Sequence, residues 1–448
     1  KNLVKSSKFS ICIFTILNMV HLMLKCKGKL YIYFALFFEF SGLNLLISQT
    51  YADQSKSSTV LQVSNFESDL HQYHLKTPED PFAPLVTKMQ QKRPQALQFE
   101  TEKDALRALL IELEVSEATQ VLVFSNTSLQ LSRISKNHPR ALFFNDDLYV
   151  GYVPGGFIEI IGIDPKVGAI PYVFRLPKRG DNIHPPIRRS SRCMRCHATS
   201  STAHIPGLLM SSVIPAEGGG SLDNLAPEQP GHEIPYGNRF GGWFLSDRNS
   251  KVAKWSNSTG IMTNGNISQQ LVPWPHQNIA KYHLNDKSET VAHLILSHQV
   301  GFTNLCIEIQ YLLREFKEKY SHDYEKKITG KLVEKLLSYT LFSSEPRLPI
   351  SLSKENSLFV DEFESLKHSN KKFHEFRKLN LRDRLLEIRC SYMLGSNVYQ
   401  ALPKMFKSNF EKTLVMILKD EHELKTKVTD HLESSEKAKI LEILEKYI

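Results

Sequence analysis

Residues 193–197 read Cys-Met-Arg-Cys-His, and no other feature of the 448-residue chain restricts its fold as much. Two thiols about one helical turn apart can both form thioethers with the two vinyl groups of a single haem. A His directly after the second Cys then lies beneath the iron as the proximal ligand. A thioredoxin-like pair would open a helix after a strand in a βαβ unit, and no such unit surrounds Cys193. A structural zinc site needs four ligands, usually two pairs, and the chain has no second close Cys pair. The spacing therefore predicts one covalent haem c on Cys193, Cys196 and His197. Attachment of this kind takes place outside the cytoplasm, so the motif also predicts export.

The first 52 residues agree with export. Lys25, Lys27 and Lys29 separate an apolar run over residues 10–24 from a second over residues 30–48, and Ala52 precedes a polar boundary. This is the layout of a secretory signal cleaved after Ala52, with Met23 as a candidate true start. The competing reading is an uncleaved anchor. Residues 30–48 approach the ~20 needed to span a bilayer, although Glu39 near their middle is costly. Either way the lysines favour the cytoplasmic side. The body is then periplasmic or otherwise exported, with or without an inner-membrane anchor.

The body reads as α+β: an antiparallel β-rich haem-binding region followed by a helical C-terminal region. Hydrophobic residues make up 41% of the chain and charged residues 23%, which suits a buried core. The net charge of +9 is spread without a Lys/Arg block. It reads as solubilising, and no nucleic-acid motif accompanies it. Residues 53–117 become helical, with Leu106, Leu109, Leu110 and Leu113 at 3–4 spacing. Within residues 118–289, the runs 121–124, 141–144, 148–153, 157–163 and 170–174 are separated by Asn/Asp/Gly/Pro turns, as in a meander. Residues 207–215 and 240–245 read as two further strands, with 216–236 a loop between them. Residues 290–448 are helical in spacing, including 331–339, 381–393 and 411–447. Cys306 and Cys390 stand alone in these segments. Each is expected to be a buried thiol, with a mutual disulfide as the alternative in an oxidising compartment.

Met and His are the usual distal ligands of such an iron. The candidates are His184, His204, Met210, His232 and Met262, with His293 and His298 on the predicted helix. His184 precedes two prolines. His232 lies shortly before Phe240-Gly241-Gly242-Trp243, where glycines allow a close backbone approach and Trp243 offers a flat packing surface. Arg192 and Arg195 flank the cysteines and suit haem propionates or plain solvent exposure equally well.

Several stretches resemble an uncharacterised family of bacterial exported mono-haem proteins described as cytochrome c domain-containing. They are residues 120–130 (QVLVFSNTSLQ), 139–154 (PRALFFNDDLYVGYVP), 193–215 (CMRCHATSSTAHIPGLLMSSVIP), 232–244 and 381–403 (LRDRLLEIRCSYMLGSNVYQALP). The resemblance implies haem binding and export but no reaction. Relatives tend to carry His-x-Gly-Asn shortly after the Gly-Gly-Trp strand. Here that stretch is Lys254-Trp255-Ser256-Asn257, so a ligand or catalytic His at that position is missing.

Three functions remain open: electron transfer to a redox partner protein through a six-coordinate haem, a gas or redox sensor, and a mono-haem peroxidase or oxidase. The last two need an open distal site. Electron transfer is the expectation.

Overall fold

Six consecutive strands form the centre of the protein: β1 (Val121–Val123), β2 (Arg140–Phe144), β3 (Leu148–Tyr152), β4 (Ile158–Asp164), β5 (Gly168–Phe174) and β6 (Arg188–Arg189). Three short strands follow, β7 (Val213–Pro215), β8 (Ser221–Asn224) and β9 (Trp243–Phe244). In the computed structural model β9 joins β1, giving a seven-stranded antiparallel sheet in the order β6-β5-β4-β3-β2-β1-β9. The structure describes residues 61–91, 99–126, 128–177, 186–226, 231–319, 322–365 and 372–448. The leader, residues 53–60 and His184 lie outside them.

Local chemistry sets the meander's turns. Asn145 accepts the Asp147 amide at 3.1 Å through Oδ1 and so reverses the chain between β2 and β3. After β3, Pro154 presets φ and Gly155 takes φ +66°, while the Gly156 amide donates to the Val153 carbonyl at 2.8 Å. Asp164 accepts the amides of Lys166 and Val167 at 2.8 and 3.0 Å before β5.

Alternate strand residues point to opposite faces. One face carries Phe143, Val150, Ile160, Ile170 and Phe174, which form a core with Phe82, Leu106 and Leu110. Leu106 and Leu110 come from α2 (Glu102–Glu112), which follows α1 (Ala83–Gln91). A Thr101–Asp104 capping box starts α2. Truncating such a leucine to alanine costs about 2–5 kcal/mol.

The opposite face meets the C-terminal half. After the single turn α3 (Met194–His197) and α4 (His276–Tyr282) comes the 30-residue α5 (Thr290–Lys319). From Thr290 to Leu312 every residue of α5 is buried, so it is a central helix rather than an amphipathic surface one. Several of its buried polar side chains are bonded; Gln299, for example, donates to Asp146 at 3.0 Å, while Thr303 Oγ1 has no hydrogen-bond partner among the described residues. Helix α6 (His322–Thr340) packs on it. The α+β expectation is met: an antiparallel sheet in the middle, helices toward the C-terminus. Residues 62–448 form one compact unit, so sheet and helices share it as layers.

Several local expectations are corrected. Residues 216–236 are not all loop, because β8 pairs with β7. Of residues 207–215 only β7 is strand, and of 240–245 only β9. An unforeseen hairpin, β10 (Ser258–Thr263) with β11 (Asn266–Leu271), turns at Asn264-Gly265, both with positive φ. That dipeptide is a strong hairpin signal that had been legible. Residues 381–391 are not helical, and only a 3-10 turn begins at Tyr392. Leu381 has φ +59°, Leu379 and Leu386 form an isolated bridge, and Asn380 Oδ1 accepts the Arg382 amide at 2.8 Å. Residues 411–447 are not one helix either: α7 (Leu358–Ser365) and α8 (Asn397–Gln400) lead to α9 (Lys404–Leu418), α10 (Lys425–Thr429) and α11 (Ser434–Leu444). Asp420, with φ +61°, ends the first of the three. Cys306 and Cys390 are free buried thiols, not a disulfide. Among the described residues no helix is long and apolar enough to cross a membrane.

Candidate functional site

The Cys-x-x-Cys-His segment follows edge strand β6 and straddles the sheet edge. Met194 sets its orientation. That side chain is buried in the core under the first sheet face. Its Sδ lies 3.4 Å from the Tyr73 hydroxyl, which donates to the Ala169 carbonyl at 2.9 Å. With Met194 turned inward, Cys196 is exposed and Cys193 half-buried, and both thiols are free. The turn brings His197 to the second face of the sheet.

There His197 lines a narrow, partly open slot with a cavity volume of about 90 Å³. The floor is every second residue of four strands: Val123, Arg140 and Leu142, Tyr149 and Gly151, Glu159 and Ile161. The roof is the 208–211 segment with Leu296 and Val300 of α5, and Trp243 also lines the slot. Arg140 and Glu159, two strands apart, form an ion pair at 2.8 Å. It passes over Gly151, where a Cβ would stand 2.5 Å from Arg140 Nη2.

His197 Nδ1 lies 3.0 Å from the Gly207 carbonyl oxygen. A carbonyl only accepts, so Nδ1 carries the proton and Nε2 keeps its lone pair. The carbonyl is itself held in place: Asn304 on α5 accepts the Leu208 amide at 2.7 Å and donates to the Leu208 carbonyl at 2.8 Å. At the far end of the segment Trp243 Nε1 donates to the Ser211 carbonyl at 2.8 Å.

Burial holds the His197 pKa below its ordinary value; the Gly207 bond and Glu159 oppose this, while Arg140 adds to it. The imidazole is neutral at neutral pH, the form that ligates metals. Burial also raises the Cys193 thiol, against a hydrogen bond with Ser190, which keeps it protonated. Among the described residues no group of three or more His, Cys, Asp or Glu is placed to hold a bare metal ion. The donor set suits a group attached by two thiols and ligated by one imidazole.

Of the distal candidates described, Met210 lines the His197 slot and the others do not. His204 sits in a left-handed turn at φ +58°. Met262 is half exposed on the β10–β11 hairpin. His232 is paired with His298, Nδ1 to Nδ1 at 2.8 Å, and His298 Nε2 reaches Ser391 Oγ at 2.8 Å. Phe342 stacks on both rings. His293 stands edge-on to Trp243 at 4.9 Å, with Nε2 at 3.2 Å from Ser288 Oγ. Arg192 is exposed, as is Arg195. Sequence reasoning missed Arg140, Glu159, Gly207 and Asn304. Only Asn304 left a trace, as an amide within an apolar stretch of helix. No family model, no curated protein and no solved structure matches the chain.

Proposed function

We propose that the chain is an exported c-type haem protein that passes single electrons to a redox partner protein. Cys193 and Cys196 would hold one haem by thioethers, each thiol S–H adding across a vinyl double bond. His197 Nε2 would be the proximal ligand. The observation that carries this reading is the hydrogen bond from His197 Nδ1 to Gly207. Metal-ligating histidines characteristically donate their second ring nitrogen to a carbonyl or carboxylate, which fixes tautomer and ring orientation. The free thiols one turn away and the apolar slot add to it.

The bound haem supplies the redox-active iron. The chain's residues would pack against it: Leu142, Ile161, Leu296 and Val300 line the slot. Met210 is the favoured sixth ligand because it alone of the described candidates shares the slot. A Met/His pair raises the potential and suits electron transfer. Export through residues 1–52, by a cleaved signal or an inner-membrane anchor, rests on the leader's sequence.

The test is the absorption spectrum of the full chain made in an export-competent host with cytochrome c maturation, oxidised and reduced, with and without carbon monoxide. A low-spin spectrum insensitive to carbon monoxide is expected. A high-spin spectrum that shifts with carbon monoxide would move the assignment to a sensor or enzyme. Haem staining of the denatured protein that survives in the Cys193→Ala/Cys196→Ala double variant would refute the attachment site.

A further inference from the structure

An exposed apolar patch adjoins the His197 slot. Glu159, in the slot floor, accepts from Ser128 Oγ at 3.0 Å and from Gln130 Nε2 at 2.9 Å. Gln130 also holds both backbone groups of Phe157: its Nε2 donates to the carbonyl at 3.1 Å and its Oε1 accepts the amide at 2.8 Å. Phe157 directly precedes β4, about 6.5 Å along the chain from Glu159. Leu129 and Leu131 flank Gln130 and are each 52% exposed, beside Phe157 at 36%. Single exposed apolar residues need no explanation, but three held together mark a surface that meets something.

Arginines stand around this patch. Arg175 lies over the Phe157 ring, 4.7 Å from its centre. Arg133 reaches the turn before Phe157, where a Cβ on Gly155 would be 3.7 Å from its Nη1. Arg188 is opposite Val173, two residues before Arg175, so the two arginines are diagonal neighbours on the slot face of the sheet. Among the described residues these three are exposed and form no ion pair. Arg140 differs, since it offsets Glu159 in the slot. Glu102 accepts the Gly155 amide and the Tyr152 hydroxyl, so the surface keeps an excess of positive charge. The cysteines are near: the charges of Glu159 and Arg140 act on the Cys193 thiol.

We propose that this patch docks an acidic redox partner protein. Leu129, Leu131 and Phe157 meet the apolar centre of the partner's surface, and Arg133, Arg175 and Arg188 meet carboxylates around it. The proposal names the partner class of the haem site and so rests on the haem reading above. Aromatic residues and arginine are the types enriched where proteins meet, and an Arg fork suits a carboxylate in two-point contact. A transient electron-transfer encounter uses a small interface, which suits three apolar side chains with a charged rim. Opposite charges on the two faces speed the encounter and orient it.

The probe is plastocyanin, an acidic copper protein that accepts one electron. Stopped-flow mixing of the reduced, haem-loaded chain with oxidised plastocyanin passes one electron to the copper, with no proton moved. The second-order rate should fall as ionic strength rises. Arg133→Gln/Arg175→Gln should lower it about tenfold at low salt and flatten its salt dependence. Lys404→Gln/Lys419→Gln removes the same charge from α9, which packs among the C-terminal helices, and should change the rate less than about twofold. Leu129→Ser/Leu131→Ser should slow transfer by the same factor at every salt concentration. Equal slowing by the arginine and lysine pairs would mean that net charge alone acts, and would overturn the proposal. An arginine pair without effect would overturn it too. So would unchanged plastocyanin rates in a leucine variant that no longer binds phosphatidylglycerol vesicles, because the surface would then belong to a membrane. A chain that never acquires haem would refute the proposed function. Calorimetric titration of that haem-free chain with plastocyanin at low salt then decides docking: binding weakened by the arginine pair and not by the lysine pair supports it, and equal weakening or no binding overturns it.

Discussion

Asn304 grips Leu208 with both ends of its amide, accepting the backbone N–H at 2.7 Å and donating to the backbone C=O at 2.8 Å. The residues are 96 positions apart, and the clamp fixes the segment whose Gly207 carbonyl orients His197. Asn304→Leu keeps the volume and strands two buried backbone groups. It should cost about 3 kcal/mol in denaturant unfolding. If Asn304 positions the ligand, the haem-loaded variant should also change its reduction potential; a stability loss at unchanged potential would reduce Asn304 to scaffolding.

Gly151→Ala tests the slot floor. The new Cβ would stand 2.5 Å from Arg140 Nη2, the movable end of a long side chain. Arg140 should swing away from Glu159, at a cost of about 1–3 kcal/mol. Haem yield per mole of protein should drop, because the methyl group also occupies the slot. Undiminished haem content would show that the floor does not contact the group.

Met210→Ala should turn a low-spin, carbon-monoxide-insensitive spectrum into a high-spin, sensitive one, since Met210 shares the slot with His197. Met262→Ala, on the exposed hairpin, should leave the spectrum alone. The reverse pattern would mean that another residue ligates the iron.

Buried neutral histidines should make the protein acid-labile. Burial, with Lys103 and His138 adding to it, lowers His283 to about 4. Burial lowers His293 to about 3 against a backbone hydrogen bond. Below the ordinary histidine value of about 6.5 the unfolded chain binds protons that the folded chain refuses. Stability therefore falls as pH drops from there toward the folded values, by about 2 kcal/mol per histidine at pH 5. His283→Gln should flatten the dependence of unfolding free energy on pH between 7 and 5, by a difference that grows to about one proton near pH 5. An unchanged slope would mean that His283 does not resist protonation.

Much of this architecture was legible because its causes are local. Alternation in residues 148–153, the apolar β-branched run 157–163 and turn residues such as Pro154-Gly155-Gly156 specify the meander wherever the rest of the chain lies. The leucines at 106, 110 and 113 are buried on the face their spacing marked. Local periodicity misled where a turn overrode it, as at Leu381. Cysteine spacing alone did not decide the state of Cys306 and Cys390, which depends on how α5 packs.

The sequence by itself determined the chemistry on offer, two thiols and an imidazole within one helical turn, because covalent spacing suffices for that. Only the tertiary structure decided what surrounds them. The register of β2, β3 and β4 carries Arg140 over Gly151 to Glu159, and α5 brings Asn304 to Leu208. Packing places Met210 at the His197 slot and keeps His204, His232 and Met262 away from it. These relationships join residues tens to hundreds of positions apart, and burial and hydrogen-bond satisfaction across layers fix them, which no local pattern encodes.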